Sequence, residues 1–496
     1  MEPYGKSRWM HTRRGFLKVL GGSVAALCTQ PLYGSAASRA GASMAPNFVL
    51  VFIDDMGWGD LSCFAGKDVA TENIDRLARE GLRFEQFYVN APICSPSRVA
   101  ISTGQYPQRW RITSFLNNRA SNAERGMAQW LDPGAPMLAR FLKQAGYATG
   151  HFGKWHMGGQ RDVGEAPLIQ EYGFDVSLTN FEGLGPRVLP LCDAQDGKPP
   201  RKHALGSDTL GRGPITWEDR SKISGSFVSA AVGFIEKAQA ARKPFYVNVW
   251  PDDVHSPFFP PQGRRGDGKK RTLYTNVLDA LDEQLGVLFD TIARSKTLRD
   301  NTLILICSDN GPEPGAGSAG PFRGRKGTLY EGGIRSPLIV WGPGLIAPGH
   351  AGTVNRDSCL AAIDLAPTLL DIAGVTPSER VAFDGQVRRD VLLGRSGGSR
   401  TAPLFFRRPP DRGGSAGGAD LPDLAVREGA WKLLCAYDGS QSQLYNVAAD
   451  PAEANNVADK YPDVVRRLSA AVTQWHQSMP PDNGPIYRPG AERQSK

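Results

Sequence analysis

Three apolar runs that each stop at a group of polar residues constrain this chain more than any other feature. Asn47-Phe48-Val49-Leu50-Val51-Phe52-Ile53 runs into Asp54-Asp55, Pro244-Phe245-Tyr246-Val247-Asn248-Val249-Trp250 leads to His255, and Thr302-Leu303-Ile304-Leu305-Ile306-Cys307 ends at Ser308-Asp309-Asn310-Gly311. Strands that are apolar without alternation are buried on both faces, as in a parallel sheet covered by helices. Helical patterns lie between them: Glu72 to Glu80 stops at Gly81, and Leu273 to Ile292 puts Leu278, Leu281, Leu285 and Leu288 on one face. The reading is an α/β fold with a large, mostly parallel sheet flanked by helices. Ligands bind such sheets at the carboxyl ends of the strands, where these polar groups fall.

The amino-terminal stretch, residues 1–45, reads as an export leader. Thr12-Arg13-Arg14-Gly15-Phe16-Leu17-Lys18 precedes a modest apolar run from Val19 to Leu27, and Gly34-Ser35-Ala36-Ala37-Ser38 offers a cleavage region. It resembles a twin-arginine signal, which implies passage through the twin-arginine translocation machinery to the periplasm or the extracellular space. The run falls short of the roughly 20 residues that span a bilayer, and no later run is longer, so no membrane span is expected in the mature chain. Residues 1–40 carry six Lys/Arg and one Asp/Glu; removing that net +5 from the formal +8 leaves +3. This is not the balance of a nucleic-acid-binding protein. Seven cysteines, scattered through a large chain, are no disulfide framework.

A chain of 496 residues exceeds one typical domain of ~100 to 200 residues. We expect a catalytic domain over residues 46–375 and a smaller C-terminal α+β subdomain over 376–496. In the latter, Trp431 to Cys435 and Gln443 to Asn446 read as paired strands of a small antiparallel sheet, and Pro462 to Met479 as a closing helix. Residues 178–222 read as a surface excursion beside the site, and 395–420, rich in Gly, Arg, Ser and Pro, as a long exposed loop. Phe405-Phe406-Arg407-Arg408 within it reads either as a sugar contact or as an edge strand running into the loop.

Asp54, Asp55, Asp309 and Asn310 offer hard oxygen ligands from two strand ends, a set suited to calcium or magnesium rather than zinc. Adjacent carboxylates after a buried strand repel unless a cation sits between them. Between these groups in sequence lies Cys94-Ser95-Pro96-Ser97-Arg98. Pro96 suits a first helical turn, free backbone donors there attract anions, and Arg98, about one turn on, adds a charge that favours a thiolate, a diolate or a bound oxyanion. A cysteine phosphatase uses a longer loop between Cys and Arg with a His before the Cys; here Ile93 stands in that place. Lys154 and His156 lie in Gly153-Lys154-Trp155-His156-Met157-Gly158, and Lys326 in Arg323-Gly324-Arg325-Lys326-Gly327. Glycines beside them suit a close approach of backbone to ligand.

Cys94-Ser95-Pro96-Ser97-Arg98 followed by Val99-Ala100-Ile101-Ser102-Thr103-Gly104 resembles the signature of the type I, formylglycine-dependent sulfatases of the alkaline phosphatase superfamily, with Val99 where the family usually carries Ala. Four further segments, around Asp54, Lys154, Asp309 and Lys326, match in order, and Leu444-Tyr445-Asn446 with Asp450-Pro451-Ala452-Glu453 resembles the sulfatase C-terminal pattern. The resemblance implies an alkaline phosphatase-like fold and hydrolysis of sulfate esters. It implies that a formylglycine-generating maturation enzyme oxidises Cys94 to Cα-formylglycine before folding, and that the aldehyde hydrate attacks sulfur. It also implies a metal site of Asp54, Asp55, residue 94, Asp309 and Asn310, holding calcium, with magnesium as the fallback. Lys154, His156 and Lys326 fall on positions that contact the sulfate or the diol, and His255 on the remaining family histidine. Export implies a sulfated carbohydrate, or an aryl sulfate, as substrate.

Two other functions fit the same residues. A phosphonate monoester or phosphodiester hydrolase of the same superfamily uses a similar centre. A non-catalytic binder of sulfated glycans is what remains when Cys94 stays a thiol.

Overall fold

A computed structural model of the chain describes residues 45–193, 199–377, 381–411 and 421–483. The export leader expected at residues 1–45 lies almost wholly outside the described residues.

The three apolar runs form adjacent parallel strands at the centre of a nine-stranded sheet. Asn47–Ile53 pairs in parallel with Thr302–Ser308 on one side and Phe245–Trp250 on the other. Beyond the latter lie Ala148–Gly153 and Val176–Leu178, also parallel. On the other flank Arg335–Trp341 runs antiparallel between Thr302–Ser308 and Leu82–Tyr88, which makes the sheet mixed. Every residue of the three central strands is buried, as strands without alternation require.

Helices cover both faces. Ile223–Ala240, Lys270–Arg294 and Glu72–Glu80 pack Phe227, Ile235, Leu278, Leu281, Leu285 and Ile74 against Val49, Val51, Val247 and Ile304. The other face sets Phe48, Leu50, Phe52 and Leu305 against Val99 and Ile101 of Cys94–Thr103, Leu138 and Leu142 of Leu138–Gln144, and Leu365 and Leu369 of Ala362–Ile372. Among the described residues no helix is long and apolar enough to cross a membrane.

Near the carboxyl end, Leu404–Arg407, Leu424–Glu428, Trp431–Cys435 and Gln443–Asn446 form a four-stranded antiparallel sheet, with Pro462–Gln477 packed on it. Of the first two strands, Leu424–Glu428 was not foreseen, and Leu404–Arg407 is the edge strand that was the alternative to a sugar contact. Leu404–Arg407 falls inside the stretch read as an exposed loop, yet Phe406 is fully buried, Phe405 stacks on Trp475 with ring centroids 5.3 Å apart, and Arg407 pairs with Asp482 at 2.7 Å. These side chains are core and are not a sugar contact; Gly, Ser and Pro around them masked a short strand. The rest of that stretch, residues 412–420, lies outside the described residues. The excursion at 178–222 carries a three-stranded sheet of its own, Arg187–Cys192 flanked by Arg201–Lys202 and Ile215–Asp219.

The C-terminal sheet shares one apolar cluster with Tyr88, with Ala100 of the Cys94 helix and with Ile363. Beside it Lys432 Nζ lies 2.9 Å from both Glu331 and Glu453, all three side chains being buried. Tyr88 and Arg335 add hydrogen bonds to the same Glu331 carboxylate.

Candidate active site

Four neighbouring parallel strands deliver their first residues past the carboxyl end to one place. Thr302–Ser308 brings Asp309 and Asn310, Asn47–Ile53 brings Asp54 and Asp55, Phe245–Trp250 brings Asp252, Asp253 and His255, and Ala148–Gly153 brings Lys154 and His156. Gly153 allows the last crossing: its φ is 120°, and a Cβ there would sit 2.2 Å from the Trp250 carbonyl oxygen. Cys94 opens the helix Cys94–Thr103 opposite, with Pro96 in its first turn.

One carboxylate oxygen from each of Asp54, Asp55 and Asp309 lies within 4.8 Å of the others, and Asp54, Cys94 and His255 form a second such group. Lys154 Nζ is 2.5 Å from Asp54 and Lys326 Nζ is 2.5 Å from Asp55. Arg98, fully buried, donates to Asp309 at 2.9 Å and to the Lys154 carbonyl at 2.9 Å, and its guanidinium is 3.5 Å from Asp54. Asn310 donates to Asp55 at 2.8 Å. All ten residues expected at the site, Asp54, Asp55, Cys94, Arg98, Lys154, His156, His255, Asp309, Asn310 and Lys326, are linked through these contacts or face the same cleft.

Burial raises the Asp54 carboxyl, but the charges of Lys154 and Arg98 outweigh it and hold Asp54 well below its usual value. Burial and the neighbouring Asp54 charge push Asp309 well above. Crowding thus pushes these carboxyls apart in acidity, although Lys154, Lys326 and Arg98 supply one cation to each of Asp54, Asp55 and Asp309. The buried Asp54 Oδ1 and Asn310 Oδ1 accept no hydrogen bond. Orphaned buried oxygens in an all-oxygen set are what a hard divalent cation uses, so the residues present fit calcium or magnesium.

Cys94 departs from one expectation. Burial and the Asp54 charge push its thiol up, outweighing Lys154 and Lys326, and Arg98 is turned to Asp309. An unmodified side chain here is a protonated thiol rather than a thiolate.

The histidines differ. His156 is buried, and its Nε2 lies 2.8 Å from the Leu116 carbonyl oxygen, which places the proton on Nε2 and leaves the unpartnered Nδ1 as acceptor. Burial and the Lys154 charge hold it neutral. His255 Nδ1 is 2.7 Å from the Ser256 carbonyl oxygen and Nε2 is 3.6 Å from Asp55; burial and Lys326 bring it down to about 4.

The cleft above these groups has a volume of about 180 Å³. Its far wall holds residues that sequence reasoning missed: Arg161, Phe181, Glu182, His203 and Arg220. Most come from the excursion at 178–222, where no motif marks them, and Glu182 is tied to the site through its backbone, by a bridge to Gln160 and by accepting the His156 N–H at 2.7 Å. Glu313, 3.8 Å from Lys326, was missed although it follows Asn310 by only three positions.

Residues 46–375 match the sulfatase family, and residues 320–478 match the N-sulphoglucosamine sulphohydrolase C-terminal family. Arylsulfatase A of Homo sapiens is 31% identical, over 82% of this chain and 78% of the relative. The N-acetylgalactosamine-6-O-sulfatase of Bacteroides thetaiotaomicron is 29% identical, over 86% and 92%. Among solved structures, a sulfatase from Pseudoalteromonas sp. superposes with a TM-score of 0.65 over 88% of this chain and 92% of that one, at 24% identity. The sulfatase match takes in the nine strand-end and helix-start residues as well as Lys326, and on that basis the chain belongs to the sulfatase family and is a sulfatase.

Proposed function

We propose that this protein hydrolyses sulfate esters on sulfated carbohydrates, with residue 94 matured to Cα-formylglycine and a divalent cation, calcium before magnesium, held by Asp54, Asp55, Asp309 and Asn310 beside residue 94. The observation that carries the reading is the convergence of that oxygen set, Cys94 and two lysines on one cleft. The N-acetylgalactosamine-6-O-sulfatase relative supports a carbohydrate substrate. The twin-arginine leader supports export to the periplasm or beyond. A formylglycine-generating enzyme acts first, because that leader's route carries folded protein. Residues 46–375 serve as the catalytic domain and 376–496 as its C-terminal subdomain.

The hydrated aldehyde supplies an oxygen nucleophile, and the cation supplies charge that polarises it and the sulfonate oxygens. The chain's own groups do the rest. Lys154 and Lys326 face the cleft as fixed cations for the ester's sulfonate charge. Arg98, with no exposed surface, holds the Asp309 and Asp54 carboxylates in place. His255 is neutral in the free site; a sulfate anion beside it favours its protonated form, which then donates to the departing alcohol oxygen. His156 Nδ1 accepts the proton that must leave residue 94 when sulfate is released.

Mass spectrometry of the peptide containing residue 94, with turnover of 4-nitrophenyl sulfate and a phenyl phosphonate monoester, tests the reading. The expected result is an aldehyde at 94 and a preference for sulfate. An unmodified thiol from a host with the maturation enzyme indicates a glycan binder, and a phosphonate preference indicates the sister hydrolase.

A further inference from the structure

Beyond the sulfate-handling side chains, the cleft is closed by a second wall built from the turn after Gly159 and the excursion at 178–222. Four Lys/Arg side chains line the cleft. Three are matched: Lys154 by Asp54 and Lys326 by Asp55, both at 2.5 Å, and Arg220 by Asp252 at 2.9 Å. Arg161 is the exception. Among the described residues no carboxylate lies within ion-pair distance of it, and its buried Nε makes no hydrogen bond.

The acidic groups nearby are otherwise engaged. Asp252 accepts from both Arg220 and Asn180. Glu182 lies 3.1 Å from His156, and burial pushes its carboxyl up to about 7, so it offers Arg161 only part of a charge. Holding Arg161 here carries a cost: its φ is 54°, in the left-handed region that residues with a side chain rarely adopt. On the same wall, Phe181 and His203 stand edge to face with centroids 5.5 Å apart, offering ring surface to a sugar.

We propose that Arg161 binds a second anionic group of the substrate, a carboxylate or another sulfate, placed beside the sulfate ester that is cleaved. The inference rests on the sulfated-carbohydrate reading above. A planar guanidinium without a partner matches either oxyanion by paired hydrogen bonds. Partial shielding from water strengthens that attraction relative to a surface contact.

The test is inhibition of 4-nitrophenyl sulfate hydrolysis by matched chondroitin disaccharides. One pair is the 6-sulfate and its uronate methyl ester; the other is the 4,6-disulfate and the 6-sulfate. In the wild-type protein the extra anion of one pair lowers Ki about tenfold, the scale of one charge-assisted contact. The pair that responds tells carboxylate from sulfate. Arg161→Ala removes the difference and Arg161→Lys restores part of it. Equal inhibition within both pairs, no inhibition by any disaccharide, or a difference that survives in Arg161→Ala overturns the proposal. Absence of 4-nitrophenyl sulfate turnover by wild-type protein carrying the aldehyde overturns the sulfatase mechanism instead.

Discussion

Arg98 Nη2 sits 2.9 Å from Asp309 Oδ2 with both side chains fully buried, while Asp309 Oδ1 accepts the backbone N–H of Asp55 at 3.1 Å. One carboxylate thereby joins the Cys94 helix to the ends of two strands. Replacing Arg98 by Met strands a buried charge, and the expected loss is about 3–5 kcal/mol. Denaturant titration checks this; Arg98→Lys should recover part of the stability, but not the two-sided contact to Asp309 and the Lys154 carbonyl.

Cys94→Ala should lower turnover of 4-nitrophenyl sulfate on the order of 10⁴-fold or more, since it removes the nucleophile itself. The unfolding midpoint should scarcely move, because only the small hydrated-aldehyde group is lost from the helix start. Single-turnover kinetics beside a thermal melt separates the two effects.

Calcium should stabilise chelator-treated protein by mass action, about 2.7 kcal/mol at a hundredfold excess over its dissociation constant. Asn310→Ala should weaken that response by removing a ligand oxygen that accepts no hydrogen bond from the protein. Calorimetric melts across a calcium series give the comparison, and a response identical in the variant contradicts the proposed ligand set.

Lys432→Met should destabilise the protein by about 3–5 kcal/mol, because it leaves Glu331 and Glu453 facing each other without their shared cation. Adding Glu453→Gln to the Met variant should return part of that loss. A double-mutant cycle on the urea midpoint measures the coupling.

His151 is fully buried among Trp155, Phe174 and Trp250, and burial, with the Arg98 charge, brings its pKa down from 6.5 to about 3. The folded pKa is depressed, so the neutral ring's stabilisation is complete above the unfolded value of 6.5 and is lost as pH falls towards 3. The full span corresponds to about 5 kcal/mol. His151→Gln should flatten stability against pH between about 6 and 4, read from urea midpoints.

The central strands were legible because an unbroken apolar run has few other fates, and their ends, Asp54-Asp55 and Asp309-Asn310, marked the site for the same reason. Lys154, His156 and Lys326 were legible only through glycine-flanked motifs, since nothing in the spacing of a lysine says it will be buried. Leu404–Arg407 could be read as an edge strand or as a sugar contact because four residues are too short to show a period, and the five of Leu424–Glu428 gave no signal for the same reason. Glu182 and Arg220 were missed because they reach the cleft from a segment with its own small sheet, where position is set by long-range packing, and Arg161 because it lies in the turn after Gly159, which no motif marks. The thiolate expectation at Cys94 failed because Arg98 is four residues away in sequence yet spends its charge on a carboxylate 211 positions further on.

The apolar cluster that joins the C-terminal sheet to Ala100 has a practical outcome for anyone trimming the gene. Every group assigned to chemistry lies before position 327, so a shortened enzyme ending near residue 375 looks attractive on paper. Such a fragment would leave the rear of the nucleophile-bearing helix wet and strip Glu331 of Lys432, leaving it Arg335 alone. The last hundred residues act as the backstop against which residue 94 is held, and catalysis and folding cannot be parcelled into separable pieces.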